Sequence, residues 1–327
     1  MNEFALIDLI RAQCAMQRSD VVLPNGDDAA VVAVAPGMQL VACTDTLVAG
    51  RHFPPGTRAE DIGWKSLAVN LSDLAAMGAM PAWTLLALCL PEPDADWVAD
   101  FARGFAQLCA RHDVALVGGD TTRGPLAITV TALGMVPAGT ALTRSGARAG
   151  DAVLVCGALG EAASGLAHLQ QAPQCGRAVP LDRSDRAHRW VAALDRPEPL
   201  IAAGQALRGI ASSAIDVSDG LLADLGHVLR ASGVGAELNI DRMPGYAALR
   251  DVLGTPLACD RVLAGGDDYA LCVTVPARQV DTAIAAVQAA GGDIVEVGRI
   301  VATAGLRVID AAGRDITPTR TGWDHFS

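Results

Sequence analysis

Residues 114–123 read Val114-Ala115-Leu116-Val117-Gly118-Gly119-Asp120-Thr121-Thr122-Arg123: an apolar run, two glycines, an aspartate and two hydroxyls. The pattern predicts a strand over 114–117 that ends at Gly118-Gly119-Asp120. The same theme, an apolar run halted by glycine or a small polar residue and followed by aspartate, returns four times. It appears at Asn25-Gly26-Asp27-Asp28, Thr44-Asp45-Thr46, Asp216-Val217-Ser218-Asp219-Gly220 and Gly265-Gly266-Asp267-Asp268. A sixth acid, Asp73, sits in Asn70-Leu71-Ser72-Asp73. One Gly-Asp pair alone is ordinarily a turn, and Asp219-Gly220 before Leu221-Leu222 alone reads as a helix N-cap. Five occurrences in one chain point instead to a shared site.

Outward from these stretches the periodicity alternates between strand and helix. Phe4–Met16 carries apolar residues at helical spacing. Ala29–Ala35 and Gln39–Cys43 read as two strands joined at Pro36-Gly37, with Asp45 following them. Ala59–Met77 returns to helix, with Ile62, Leu67, Leu71 and Leu74 on or near one face and Asn70 and Asp73 sharing a face. Trp83–Leu90 and Ile128–Val136 read as strands, and Asp96–Arg111 as a helix with Trp97, Phe101, Phe105 and Leu108 inward. In the second half, strands are predicted at 152–156, 214–217, 235–240, 271–275, 294–300 and 306–309, and helices at 160–169, 200–210, 221–231 and 280–289. Gln170–Arg186 lacks periodicity and reads as a loop. A chain of 327 residues exceeds what one hydrophobic core serves. The glycine- and arginine-rich stretch 138–150 is the domain junction, giving an N-terminal domain over 1–145 and a C-terminal domain over 146–327. The fold class expected is α+β.

Composition narrows the function. Hydrophobic residues make up 51% but aromatics only 4%, which suits closely packed helices on sheets. The longest apolar stretch, Trp83–Leu90, is too short to cross a bilayer, and the N-terminus lacks a secretory pattern, so a cytoplasmic location is expected. Eight scattered cysteines include no Cys-x-x-Cys pair, which argues against a zinc site. A net charge of −11 disfavours nucleic acid, whose phosphates would be repelled. Lys65 is the only lysine, and Gly63-Trp64-Lys65-Ser66 lacks the spacing of a nucleotide P-loop. The His-Arg-Asp loop of protein kinases is missing too.

Carboxylates gathered within ~4 Å repel by roughly 4 kcal/mol per pair at an effective dielectric near 20. A fold that collects them needs cations. Hard oxygen ligands with hydroxyl neighbours suit Mg²⁺ carrying phosphates, and that implies phosphoryl chemistry. Gly157-Ala158-Leu159-Gly160 lacks the third glycine of a dinucleotide loop and reads as a strand-to-helix turn. Arg123, Arg144 and Arg148 lie in loops where a guanidinium fork could grip phosphate, although each alone reads as a surface charge. His52 reads equally as a ligand contact or a loop residue.

Taken together, Gly26–Ala30, Thr44–Phe53, Lys65–Gly78 and Gly118–Gly124 closely resemble the thiamine-monophosphate kinase family. Leu142-Thr143-Arg144-Ser145-Gly146, Ala214–Leu221, Gly265–Tyr269 and Gly322-Trp323-Asp324-His325-Phe326 match in order, so the likeness spans nearly the whole chain. The resemblance implies a two-domain fold shared with aminoimidazole ribonucleotide synthetases. The N-terminal mixed sheet with its helices would bind ATP and Mg²⁺ and join a second copy in a dimeric β-barrel. A sandwich-like α/β C-terminal domain would complete the active site.

The resemblance also implies ATP-dependent phosphorylation of thiamine monophosphate to thiamine diphosphate. By it, Asp28, Cys43, Thr44, Asp45, Asp73, Asp120, Asp216 and Asp219 would hold several Mg²⁺ ions, with Asp45, Asp73 and Asp120 central to catalysis. Gly119, Asp120, Arg144 and Ser218 would contact ATP, and His52, Asp267 and Trp323 would face the thiamine phosphate. The chain departs from the family pattern in two places: Asp267 and Ala270 replace the glutamates of Gly-Gly-Glu-Asp-Tyr-Glu, and Cys43 replaces a serine or threonine, leaving its carbonyl to serve a metal.

A phosphate monoester with a second pKa near 6 is already an anionic nucleophile at neutral pH, so no general base is needed. Direct transfer without a phosphoenzyme is expected. Rival readings are another ATP-dependent synthetase of the same superfamily and a non-enzymatic Ca²⁺-binding module. The first lacks a reactive Cys and Lys pair or a C-terminal cysteine here, and the second lacks the alternating Asp-x-Asp-x-Asp loop.

Overall fold

The computed structural model describes residues 3–171, 186–320 and 322. Its contacts fall into two compact units, one built from residues up to Leu74 with Ala79–Gly139, the other from Ala75–Gly78 and the residues from Thr140 onward. Among the described residues no helix is long and apolar enough to cross a membrane.

The first unit runs α1 (Glu3–Gln13), β1 (Val21–Leu23), β2 (Val31–Val32), β3 (Met38–Val48), α2 (Ala59–Ala76), β4 (Met80–Leu90), α3 (Ala95–His112), β5 (Ala115–Arg123) and β6 (Ala127–Pro137), the last two residues of α2 falling in the second unit. Four strands form a mixed sheet in the order β3-β6-β4-β5, with only β4 and β5 parallel. Ala82, Trp83, Ala115, Val117 and Met135 cluster in its core. In α3, Asp94 caps the first turn by accepting from the Trp97 N–H at 3.0 Å. Phe101 and Phe105 are fully buried, while Trp97 is half-buried and stacks on Phe101 with centroids 5.4 Å apart.

Three local readings change. Val31–Val32 pairs with Val21–Leu23 and not with the strand that follows Pro36-Gly37. Thr44-Asp45-Thr46 lies inside β3, because β6 pairs with every position from Met38 to Val48. Gly118-Gly119-Asp120 continues β5, paired with β4 as far as Leu90 opposite Arg123, after an irregularity at Thr84/Leu85. In the last two cases ladder hydrogen bonds to a distant strand override the local turn signal.

The second unit contains β7 (Asp151–Cys156), α4 (Glu161–Gln171), α5 (Arg186–Asp195), α6 (Ile201–Ala206), β8 (Ser213–Val217), α7 (Leu221–Ser232), β9 (Gly235–Asn239), α8 (Tyr246–Leu253), α9 (Thr255–Ala264), β10 (Ala270–Pro276), α10 (Val280–Ala289), β11 (Ile294–Val301) and β12 (Gly305–Ile309). Six strands are ordered β12-β9-β11-β7-β10-β8, antiparallel except for β12 with β9. Every residue of β7 and β8 is buried, as expected of strands covered on both faces. Val153, Val155, Ile215, Val217, Leu225 and Leu238 lie in that core. Helices α8 and α9 were not anticipated. Their signals are Gly245 and Gly254 at the N-caps and a proline in the first turn of α9. The expected loop over 170–186 falls largely outside the described residues.

Candidate active site

In the first unit, residues paired directly across the sheet share a face. Asp45 pairs with Val130, Val130 with Leu86 and Leu86 with Gly119. Val130 and Leu86 are buried, so Asp45 and Cys43 belong to the covered face. The Cys43 thiol donates to the Asn70 carbonyl of α2 at 3.3 Å. Burial first, then the charges of Asp73 and Asp45, push that thiol far above its ordinary value, and Asp73 hydrogen-bonds it. Cys43, Asp45 and Asp73 are therefore one group, with a neutral thiol between two acids.

Thr46, Thr129, Ala87 and Asp120 form the next row, on the opposite and open face. Thr44 shares that face by alternation, with its hydroxyl donating to the Val130 carbonyl at 3.0 Å. Asp120 and Asp45 thus stand on opposite edges and opposite faces, separated by three strand spacings of roughly 4.8 Å. Within one copy of the sheet these two acids do not meet.

Asp120 instead shares a groove of about 620 Å³ with Asp27, Asp28, Gly118 and Gly119. The Asp27 carboxylate accepts from the Asp28 N–H at 2.9 Å, and Arg11 of α1 donates to the Asn25 carbonyl at 2.9 Å, which orders this acidic turn. Gly119 is required by space: a Cβ there would stand 1.9 Å from the Leu86 carbonyl oxygen. His52 accepts from the Val48 N–H through Nδ1 at 2.9 Å, and its carbonyl accepts from Lys65 Nζ at 3.1 Å. Lys65 is 2% exposed. The sole lysine thus ties the His52 turn to α2, a role the sequence did not reveal.

In the second unit Asp216 is buried on β8, with Ser218 and Asp219 in the turn leading to α7. The Asp267 N–H donates to the Ser218 carbonyl and the Tyr269 N–H to the Val217 carbonyl, both at 2.8 Å, so the two acidic loops are joined. Asp267 and Tyr269 have left-handed backbone, φ 68° and 49°. The Tyr269 hydroxyl donates to Asp267 at 3.0 Å. Strain held by such hydrogen bonds is a mark of functional loops.

Two carboxylates outside the expected set support these loops. Asp268 accepts from the N–H groups of Gly160 at 2.7 Å and Ala162 at 3.4 Å, at the start of α4. Asp224, on α7, accepts from Ser218, Asp219 and Gly220 through one oxygen. Burial, then the Asp216 charge, pushes the Asp224 carboxyl up to about 7. The available signal was an acid in the first turn of the helix that opens after Gly220.

Arg144 and Asp219 lie within electrostatic reach of His227, whose imidazole is held below its ordinary value by burial, Arg230 and Arg144. A second groove of about 530 Å³ is lined by Leu222, His227, Arg230, Leu306 and Thr317. Gly322 packs against the Asp219 carbonyl and Ala223, while Trp323 lies outside the described residues.

Among the described residues no three His, Cys, Asp or Glu side chains form a ready metal cage. Mg²⁺ does not require one, since it keeps waters and takes one or two carboxylates together with substrate phosphates. The pairs Asp45/Asp73, Asp28/Asp120 and Asp216/Asp219 offer that kind of hard oxygen donor. The neutral Cys43 thiol does not.

Residues 26–136 match the AIR synthase related protein N-terminal domain and residues 148–311 the C-terminal domain. The thiamine-monophosphate kinase of Salmonella typhimurium is 43% identical over 327 residues, covering 100% of this chain and 98% of that protein. The crystal structure of thiamine-monophosphate kinase from Stenotrophomonas maltophilia K279a superposes with a TM-score of 0.86 at 48% identity, covering 94% of this chain and 96% of that one. AaThiL complexed with AMPPCP and TMP superposes with a TM-score of 0.76 at 30% identity, covering 99% and 97%. With both domains matched in order and identity sustained from end to end, the chain belongs to the thiamine-monophosphate kinase family of AIR synthase related proteins.

Proposed function

We propose that the chain transfers the terminal phosphoryl group of ATP directly to the phosphate of thiamine monophosphate, yielding thiamine diphosphate. The observation that carries this reading is full-length likeness to proteins of that name, together with a related structure holding AMPPCP and TMP. Sustained 43% identity to a thiamine-monophosphate kinase disfavours the synthetase rivals and the Ca²⁺ module.

Both reactants are anions at neutral pH, so the barrier is charge repulsion and alignment rather than proton removal. Several bound Mg²⁺ ions would neutralise the phosphate oxygens. Asp28, Thr44, Asp45, Asp73, Asp120, Asp216 and Asp219 would hold them, with Cys43 contributing at most its carbonyl. Gly119 leaves room for backbone to approach phosphate, and Arg144 and Ser218 supply donors to it. His52, Asp267 and Trp323 would orient the thiamine phosphate, Asp267 from a loop fixed by Tyr269.

We further propose a homodimer joined through the four-stranded sheets. Its support is a sheet whose outer strands β3 and β5 each pair on one side only among the described residues, and on which Leu40 is 50% and Leu85 37% exposed. Closing two such sheets into a barrel would set β3 of one copy against β5 of the other, bringing the strand that carries Asp120 beside the strand that carries Thr44 and Asp45. The domains over 1–145 and 146–327 and a cytoplasmic setting complete the proposal.

The test is incubation of the pure protein with Mg²⁺, ATP and thiamine monophosphate, with chromatography for the diphosphate ester. Asp73→Asn and Asp120→Asn should each lower turnover by about 10²-fold or more while the melting temperature changes little. Absence of the diphosphate ester refutes the activity, and a covalent phosphoprotein trapped from labelled ATP refutes direct transfer. Sedimentation as a monomer refutes the barrel.

A further inference from the structure

The turn between β8 and α7 poses an electrostatic problem. Three consecutive N–H groups, of Ser218, Asp219 and Gly220, point the same way at the start of a twelve-residue helix. Such a cluster at the positive end of a helix favours anions. Yet Asp219 in the same turn and Asp216 at the end of β8 carry carboxylates that suit cations. One side chain resolves the conflict. Asp224 is 4% exposed and reaches back from α7 to accept from all three N–H groups through Oδ2, at 3.0, 3.0 and 3.1 Å.

We infer that Asp224 is the positioning residue of the nucleotide site. By satisfying the three N–H groups internally, it locks the turn so that Asp216 and Asp219 present carboxylates to the metal and Ser218 its hydroxyl to the phosphate, and it denies those N–H groups to free anions. Asp224 itself touches no reactant. This inference rests on the functional reading above for the identity of the ligand.

The test compares wild type with Asp224→Ala, Asp224→Asn and Asp224→Glu. Calorimetric titration of Mg²⁺ with AMPPCP should show affinity at least tenfold weaker in Asp224→Ala. Asparagine, which keeps the length and an acceptor, should recover most of the loss. Glutamate, which keeps the charge but is one methylene longer, should not. In turnover the KM for ATP should rise by a similar factor while the KM for thiamine monophosphate stays within threefold, a split that simple destabilisation would not produce. Metal-free Asp224→Ala should also bind inorganic phosphate where wild type does not.

Unchanged AMPPCP affinity in Asp224→Ala, or in Asp224→Glu should the alanine variant fail to fold, overturns the inference. Failure of folded, metal-free Asp224→Ala to take up phosphate overturns it as well. A wild-type protein that binds Mg²⁺ and AMPPCP but makes no thiamine diphosphate refutes the functional reading and leaves the variant comparison intact.

Discussion

Helix α2 carries Asp73, and its crossing with α3 is made by two glycines. A Cβ added at Gly104 would stand 1.8 Å from the Glu60 carbonyl oxygen, and one added at Gly63 would stand 2.0 Å from that of Phe101. Real Cβ atoms essentially never come closer than 3.0 Å, so Gly104→Ala must open the crossing by about 1.2 Å. Intrinsic helix propensity favours alanine by about 1 kcal/mol, while overpacking a close contact costs about 1–3 kcal/mol. Here the obstructing atoms are backbone and cannot rotate away. The upper end of that range applies, leaving a net loss of about 2 kcal/mol.

For a unit of this size that corresponds to a fall in melting temperature of roughly 4–8 °C. Displacing α2 also moves Asp73 relative to Asp45, and a shift near 1 Å is worth about 10² in turnover. The control is Gly226→Ala in α7, where the nearest atom among the described residues beyond the helix backbone is the mobile end of Arg230 at 3.3 Å. There propensity wins, and stability should rise by up to about 1 kcal/mol. Calorimetric melting of both variants, with steady-state kinetics on the first, decides the matter. A Gly104→Ala protein that melts at or above wild type would refute the crossing geometry.

Asp268 is half-buried as a residue, but its carboxyl is enclosed, and burial raises it well above the ordinary carboxylate value. Its removal in Asp268→Ala orphans two backbone N–H groups and should cost about 2–4 kcal/mol in urea unfolding, whereas Asp268→Asn should cost less. Because the folded value is raised, the contribution is complete below the unfolded value near 4 and declines as pH rises, so wild type should exceed Asp268→Asn by more at pH 5 than at pH 8; an equal or reversed difference refutes this. The half-buried Cys43 thiol donates to the Asn70 carbonyl, a bond serine can also make, so Cys43→Ser should keep turnover within about threefold. A change of metal preference in that variant would instead show that the sulfur is a ligand.

Local chemistry written in neighbouring residues was legible without coordinates. Val280–Ala289 forms a helix over the range its periodicity predicted, and α3 differs from expectation by one residue at each end and α7 by one at its C-terminal end, because caps and apolar spacing act within a turn or two. The acidic stretches were equally legible, since glycine and aspartate are distinctive and their order along the chain resembles that of one family. Pairing across distance was not. Thr44-Asp45-Thr46 and Gly118-Gly119-Asp120 carry turn residues, yet β6 and β4 draw them into strands. That pairing assigns Asp45 to the covered face and Asp120 to the open one, because side-chain direction follows register and a one-residue slip would exchange the faces. Asp224, Asp268 and Lys65 gained their roles the same way. Each satisfies backbone groups exposed by a turn that only the packed chain creates, and burial turns an ordinary surface residue type into a determinant of loop geometry.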